Sequence, residues 1–263
     1  MSDPEWMAPA SLEEALTLRA ARGDDATVLA GGTFLGILMN QGFLAPEAFL
    51  SLGRVDELKR IDVVDGELRL GAMVAHRRVE REVAPGWPVL ARAFGLVASP
   101  RVRNQATVGG VLADADYASD PPAMLAALDA RAVLRSPRGD REVSVGELIL
   151  GFYETCIEPD ELLVEVRVPA EPAKATYRKF RSRSSEDRPC AAVAAVRGER
   201  LRVVVGAVAE TPQDFPDLCD GTPEEVAAGY AERIEPLSDS RGSAAYRRRV
   251  IAAEVRRAVE AVT

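Results

Sequence analysis

Val28-Leu29-Ala30-Gly31-Gly32-Thr33-Phe34-Leu35 and Ala106-Thr107-Val108-Gly109-Gly110 decide the reading of this chain. Each is a short apolar or small run that breaks into a glycine pair with threonine close by. Glycine lets a ligand approach the backbone and allows φ > 0. Successive N–H groups in such a turn form an anion-binding nest, to which a hydroxyl adds a donor. Two such loops predict a clamp on a pyrophosphate that needs no basic side chain. Taken singly, each reads first as a tight turn. Neither is a Rossmann fingerprint, because G-x-G-x-x-G is missing, and neither is a P-loop.

Outward from these loops, the first 170 residues alternate short strands with amphipathic helices. Ser11-Leu12-Glu13-Glu14 is a capping-box pattern that starts a helix ended by Gly23-Asp24-Asp25. Thr27–Ala30 reads as a strand and Phe34–Asn40 as a short helix. Ile61–Val64, Asp65-Gly66 and Glu67–Leu70 predict a hairpin on a type I′ turn. Helices are predicted near Val74–Val83, Pro88–Ala98 and Pro122–Ala130, with a second hairpin around Pro137–Asp140. Leu162–Val168 reads as a strand stopped by Pro169. Composition shifts at Pro169-Ala170-Glu171-Pro172, which predicts a boundary there. Beyond it, strands at Thr176–Arg181, Ala191–Arg197 and Leu201–Ala209 precede helices at Pro223–Ile234 and Ser243–Val262. Strands followed by helices suggest a small α+β domain.

The 263 residues suffice for one large domain or two smaller ones. The net charge of −8 argues against nucleic acid as the main partner. No stretch approaches the ~20 apolar residues that span a bilayer. The acidic start Met1–Trp6 carries no signal pattern. Cys156, Cys190 and Cys219 are far apart, odd in number and form no Cys-x-x-Cys. They read as free thiols, so a reducing cytoplasmic location is expected and an iron–sulfur or zinc site within this chain is not. The single histidine, His76, makes a His-dependent triad improbable.

Further stretches join the glycine loops. Val102-Arg103-Asn104-Gln105-Ala106-Thr107-Val108-Gly109-Gly110-Val111-Leu112-Ala113 is followed by Asp120-Pro121-Pro122, and Glu161-Leu162-Leu163 leads to Pro169. Tyr177-Arg178-Lys179-Phe180 and Arg183-Ser184-Ser185-Glu186-Asp187 follow in turn. In this order the chain resembles, over nearly its whole length, the FAD-binding (medium) subunits of molybdenum hydroxylases. Carbon monoxide dehydrogenase and the flavin domain of xanthine dehydrogenase belong to that family. Val111 departs from the Asn or Asp often found there, and Asp116-Tyr117 from Ser-Pro.

The resemblance implies an α+β protein. A two-lobed vanillyl-alcohol-oxidase-type (VAO, PCMH-like) FAD-binding domain would occupy residues 1–169, with lobes of about 1–55 and 56–169. A small α+β domain of carbon monoxide dehydrogenase flavoprotein type would occupy 170–263. The first loop, Val28, Leu29, Ala30, Gly31, Gly32, Thr33, Phe34 and Leu35, would bind FAD, with donors to its pyrophosphate from Ala30 to Thr33. Thr107, Val108, Gly109, Gly110 and Val111 would form the second loop, with donors from Thr107, Gly109 and Gly110. Asp120 would meet the cofactor's polar chain, while Leu162 or Leu163 and Lys179 would lie near the flavin ring. A lysine there would offset the negative charge that builds on reduction. Molybdopterin and [2Fe–2S] clusters would sit in a large and a small partner subunit. An external acceptor (NAD, a quinone or oxygen) would take the electrons. No catalytic side chain and no metal ligand are expected in this chain.

Other features are set against this reading. His76 reads as a surface or helix-start residue, and Asp114, Asp116 and Asp120 as loop carboxylates rather than a calcium site. Arg181–Arg188 reads equally as a solvated loop and as a cover over the flavin or a partner contact. Arg247-Arg248-Arg249 reads as a solvated helix face. Two other functions stay open at this point: a free-standing FAD oxidoreductase of the wider superfamily, and an assembly subunit that has lost FAD.

Overall fold

Ser11 starts the helix Leu12–Arg22 by accepting the Glu14 N–H at 3.2 Å. The Glu14 carboxylate reaches back one residue further than a capping box requires, to the Ala10 N–H at 2.8 Å. The computed structural model describes residues 3–184 and 186–263, so Ser185 of the polar segment quoted above lies outside the described residues. Thr27–Leu29 is the strand that feeds the first glycine loop, and Leu35–Asn40 is the helix that leaves it. Thr27–Leu29 pairs in parallel with Ala48–Ser51, which pairs in parallel with Glu5–Met7. These strands have three or four residues and lack turn signals, so Glu5–Met7 and Ala48–Ser51 are not legible in the pattern. The helix Leu12–Arg22 makes one of the crossovers that parallel strands require.

The second lobe is a five-stranded antiparallel sheet in the order Ile61–Val64, Glu67–Gly71, Leu162–Val168, Arg131–Ser136, Gly139–Ser144. Its first hairpin turns on Asp65 (φ 53°) and Gly66 (φ 82°), as Asp-Gly predicts. Its second is tighter than the pattern suggested: Ser136 pairs with Gly139, leaving only Pro137-Arg138 in the turn. Leu162–Val168 lies at the centre, so the strand last in sequence completes the sheet. Helices Pro88–Gly95 and Pro121–Ala127 cover this lobe through Leu90, Phe94, Met124 and Leu125, all fully buried.

A four-stranded antiparallel sheet follows, in the order Lys174–Phe180, Ala191–Arg197, Leu201–Gly206, Gln213–Asp214. Ala191–Arg197 is apolar on both faces, and the two faces serve different cores. Ala191, Val193 and Ala195 pack against Pro223–Arg233 and Ala244–Val262, whereas Ala192, Ala194 and Val196 join the core of the second lobe. The Pro169–Pro172 segment is stapled to that lobe: Trp87 Nε1 donates to the Pro169 carbonyl at 2.7 Å. Glu171 accepts the N–H groups of Val89 and Leu90 at 3.0 and 2.9 Å. Arg247 corrects the expectation of a solvated face. It is fully buried, pairs with Asp239 at 2.7 Å and donates to the carbonyls of Cys190 and Ala207. Among the described residues no helix is long and apolar enough to cross a membrane.

Candidate functional site

The first glycine loop is a row of donors. Gly32 holds φ at 68°, in the left-handed region where a side chain is strained. Gly31 touches the other lobe so closely that a Cβ there would lie 1.9 Å from the Gln105 carbonyl oxygen. Among the described residues, the N–H groups of Gly31, Gly32, Thr33, Phe34 and Leu35 have no partner within the chain. Five consecutive uncommitted amides in a glycine turn form an anion cradle.

The second loop is a brace, and this corrects the donor role expected of Gly109 and Gly110. The Gly109 N–H is committed to the Ala72 carbonyl at 2.8 Å, and Val108 N–H to that of Val74 at 2.9 Å. Gly110 N–H is taken by Thr107 Oγ at 3.1 Å, which caps the helix Val108–Ala113. A Cβ on Gly109 would lie 2.6 Å from that of Ala72, so this glycine serves packing. Thr107 keeps its own N–H and its hydroxyl hydrogen uncommitted among the described residues.

Between the loops lies a cleft of about 700 Å³. That is within the roughly 300–1,000 Å³ of small-molecule and cofactor sites. Val28, Ala30 to Leu35, Thr107, Gly109, Gly110, Val111, Asp120, Leu162, Leu163 and Lys179 all line it. Of the expected residues, Leu29 and Val108 do not, because Val108 is fully buried in the core and Leu29 is not among the lining side chains. Asp120, which opens the helix Pro121–Ala127, and Lys179, on the strand Lys174–Phe180, form a buried ion pair at 2.8 Å. Tyr177 donates to the other Asp120 oxygen at 2.8 Å, and Lys179 also donates to the Leu96 carbonyl at 2.9 Å. Burial pushes the Asp120 carboxyl up, against the pull of Lys179 and Tyr177. Tyr117 donates to Asp239 at 2.7 Å and stands edge-on to Phe152. It packs outside the cleft lining.

Four more residues shape this site: His76, Asp114 and Arg188 line it, and Arg103 braces its wall. His76 starts the helix His76–Glu82 as expected but is only 1% exposed rather than on the surface. Its Nε2 lies 3.1 Å from the Thr107 carbonyl, and burial lowers its pKa to about 4, so it braces the loop as a neutral donor. Arg103 donates to the carbonyls of Val97 and Ala98 at 2.7 and 2.9 Å and fixes a segment of the cleft wall. Arg188, just before the strand Ala191–Arg197, pairs with Asp116 at 2.7 Å, 6.0 Å from the Phe34 ring. Residues 186–188 thus line the cleft. Asp114 lines the same wall, and burial together with Asp116 raises its carboxyl to about 7. A run of Asp and Arg has no periodicity that announces such pairings.

Comparison with known proteins accords with this geometry. Residues 2–171 match the family described as FAD binding domain in molybdopterin dehydrogenase. The carbon monoxide dehydrogenase medium chain of Hydrogenophaga pseudoflava is 34% identical over 276 residues, covering 98% of this chain and 96% of that one. The 6-hydroxypseudooxynicotine dehydrogenase complex subunit alpha of Paenarthrobacter nicotinovorans is 33% identical, covering 96% of this chain and 92% of its own length. The crystal structure of quinoline 2-oxidoreductase from Pseudomonas putida 86 superposes with a TM-score of 0.91 at 32% identity, covering 99% of this chain and 97% of that one. This chain therefore belongs to the FAD-binding medium subunits of the molybdenum hydroxylase family, and it is an oxidoreductase subunit whose cofactor is FAD.

Proposed function

We propose that this chain is the electron-transfer subunit of a cytoplasmic heterotrimeric complex. It passes electrons from the [2Fe–2S] clusters of a small subunit to an external acceptor such as NAD, a quinone or oxygen. A large molybdopterin subunit oxidises the substrate. The observation that carries this reading is the cleft itself, with its row of free amides from Gly31 to Leu35 facing a braced loop. Those amides and the Thr107 hydroxyl hold the pyrophosphate, whose charge a nest accepts without lysine or arginine. Asp120 meets the polar chain of the cofactor. Leu162, Leu163 and Lys179 border the ring, where the lysine offsets negative charge. Bound FAD supplies the redox chemistry, taking up electrons singly and passing on a pair. The protein side needs no general acid or base for that step, which suits a cleft whose histidine is sealed and neutral.

The test has two arms. Gly32→Val forces a branched side chain into a left-handed backbone at the nest. It is expected to abolish flavin absorption in the purified chain while leaving its circular dichroism intact. Undiminished flavin content would overturn the nest reading. The tagged wild-type chain is expected to co-purify from native lysate with two further chains that carry molybdenum and iron. Recovery of a flavin-loaded chain without either metal would point to the free-standing oxidoreductase.

A further inference from the structure

Asp114 stands apart from the other acids of the cleft. Asp116 is spent on Arg188 and the Ala118 N–H, Asp120 on Lys179 and Tyr177, and Glu161 on Arg141. Asp187 accepts the Arg188 N–H, and Glu186 is exposed. Among the described residues that line the cleft, Asp114 is the part-buried carboxylate with neither a hydrogen-bond nor an ion-pair partner. Its backbone N–H bonds to the Gly110 carbonyl at 2.9 Å, which places it one helical turn beyond the second glycine loop. A part-buried carboxylate without a partner is costly as an anion and available as an acid.

We propose that Asp114 is a further cofactor-binding residue of this cleft: it holds the dinucleotide as the protonated acid, by donating its O–H, and weakens the hold as the carboxylate. The inference rests on FAD occupying the space between the two loops. The charges around Asp114 set the sign. Asp116 opposes its ionisation, and Arg188, the cation that would favour it, is already paired. Glu186 and Asp187 add negative charge to the same wall, and the Tyr153 phenol, raised by burial and by Asp116, stays neutral. His76 is neutral throughout the range in question. Burial and the neighbouring Asp116 raise the Asp114 carboxyl to about 7. The pyrophosphate brings more negative charge, which raises that value further, so binding takes up a proton. Affinity is therefore full below about 7 and declines as the pH rises above it.

The experiment measures FAD affinity of the full-length chain by quenching of flavin fluorescence across this range. The wild-type dissociation constant is expected to rise about tenfold between about pH 6 and pH 8. Asp114→Asn, which keeps a donor and cannot ionise, is expected to bind with near wild-type low-pH affinity at every pH. Asp114→Ala is expected to bind weakly throughout. Calorimetry of the wild type in two buffers of different ionisation enthalpy is expected to show net proton uptake above neutrality, a readout that needs no variant. A flat wild-type profile, a pH slope retained in Asp114→Asn, or no proton uptake would each overturn the role of Asp114 and leave the FAD site standing. A chain that takes up no FAD at any pH would overturn both.

Discussion

Gly31 shows how one hydrogen in place of a methyl group decides a binding site. The lobes meet where its α-carbon faces the Gln105 carbonyl, and there is no room for a Cβ. Gly31→Ala is expected to force the loops apart and to cost about 1–3 kcal/mol of stability, as overpacking does. Flavin content should fall with it. Gly36 lies in the helix Leu35–Asn40 with open space around it, so Gly36→Ala should not destabilise and should gain up to about 1 kcal/mol. Urea unfolding of the two variants side by side checks this contrast; equal effects would remove the argument from close approach. Thr107 and His76 act by a different principle. Each spends one hydrogen bond on the loop itself, so the loop is held before any ligand arrives. Preorganised donors of this kind bind without a reordering cost.

Among elements, the segment after Leu162–Val168 has the clearest energetic role. Pro169-Ala170-Glu171-Pro172 has the composition of a linker, yet it lies on the lobe it follows. The helix Pro88–Gly95 has no side-chain cap of its own, and Glu171 supplies one from a distant part of the chain. Removing a cap of this kind costs about 1 kcal/mol. Glu171→Ala is expected to lower the thermal midpoint accordingly, and Glu171→Gln, which keeps one acceptor, to lower it less. A differential scanning calorimetry trace unchanged in Glu171→Ala would show that water replaces the cap. The strand Ala191–Arg197 illustrates a second element-level effect. Its apolar run predicts a strand, and its two-faced burial explains why alternation is absent.

For the whole molecule, the five-stranded sheet and the last four-stranded sheet share a core, and a buried ion pair joins them. Asp120 opens the helix Pro121–Ala127 and Lys179 lies on the strand Lys174–Phe180, both nearly sealed from solvent. A buried pair adds little net stability, but removing one partner strands the other charge at about 3–5 kcal/mol. Lys179→Met is expected to destabilise the chain by an amount of that order. The double variant Asp120→Asn with Lys179→Met should recover much of the loss. A double-mutant cycle in urea checks the coupling, and additive losses would show that the two charges act independently. The two reporters Trp6 and Trp87, in the first and second lobes, should follow a single transition in these titrations.

Features written in neighbouring residues are legible before any folding. The Asp65-Gly66 hairpin, the Ser11 cap, the closing strand Leu162–Val168 and the two long C-terminal helices depend on local sterics and periodicity. The glycine loops were legible too, as turns able to bring backbone donors to an anion. Which loop donates was decided only by the tertiary structure. Ala72 and Val74, in the same lobe, claim the amides of Gly109 and Val108, whereas nothing among the described residues claims those of Gly31 to Leu35. The same holds for charge. Arg188, Arg247 and Asp114 look alike in a list of polar residues, and their roles follow from Asp116, Asp239 and an empty partner position respectively. A hydrogen bond or an ion pair depends on distances of a few ångströms between groups far apart in the chain. Those distances are set when the lobes close on one another, and no local pattern encodes them.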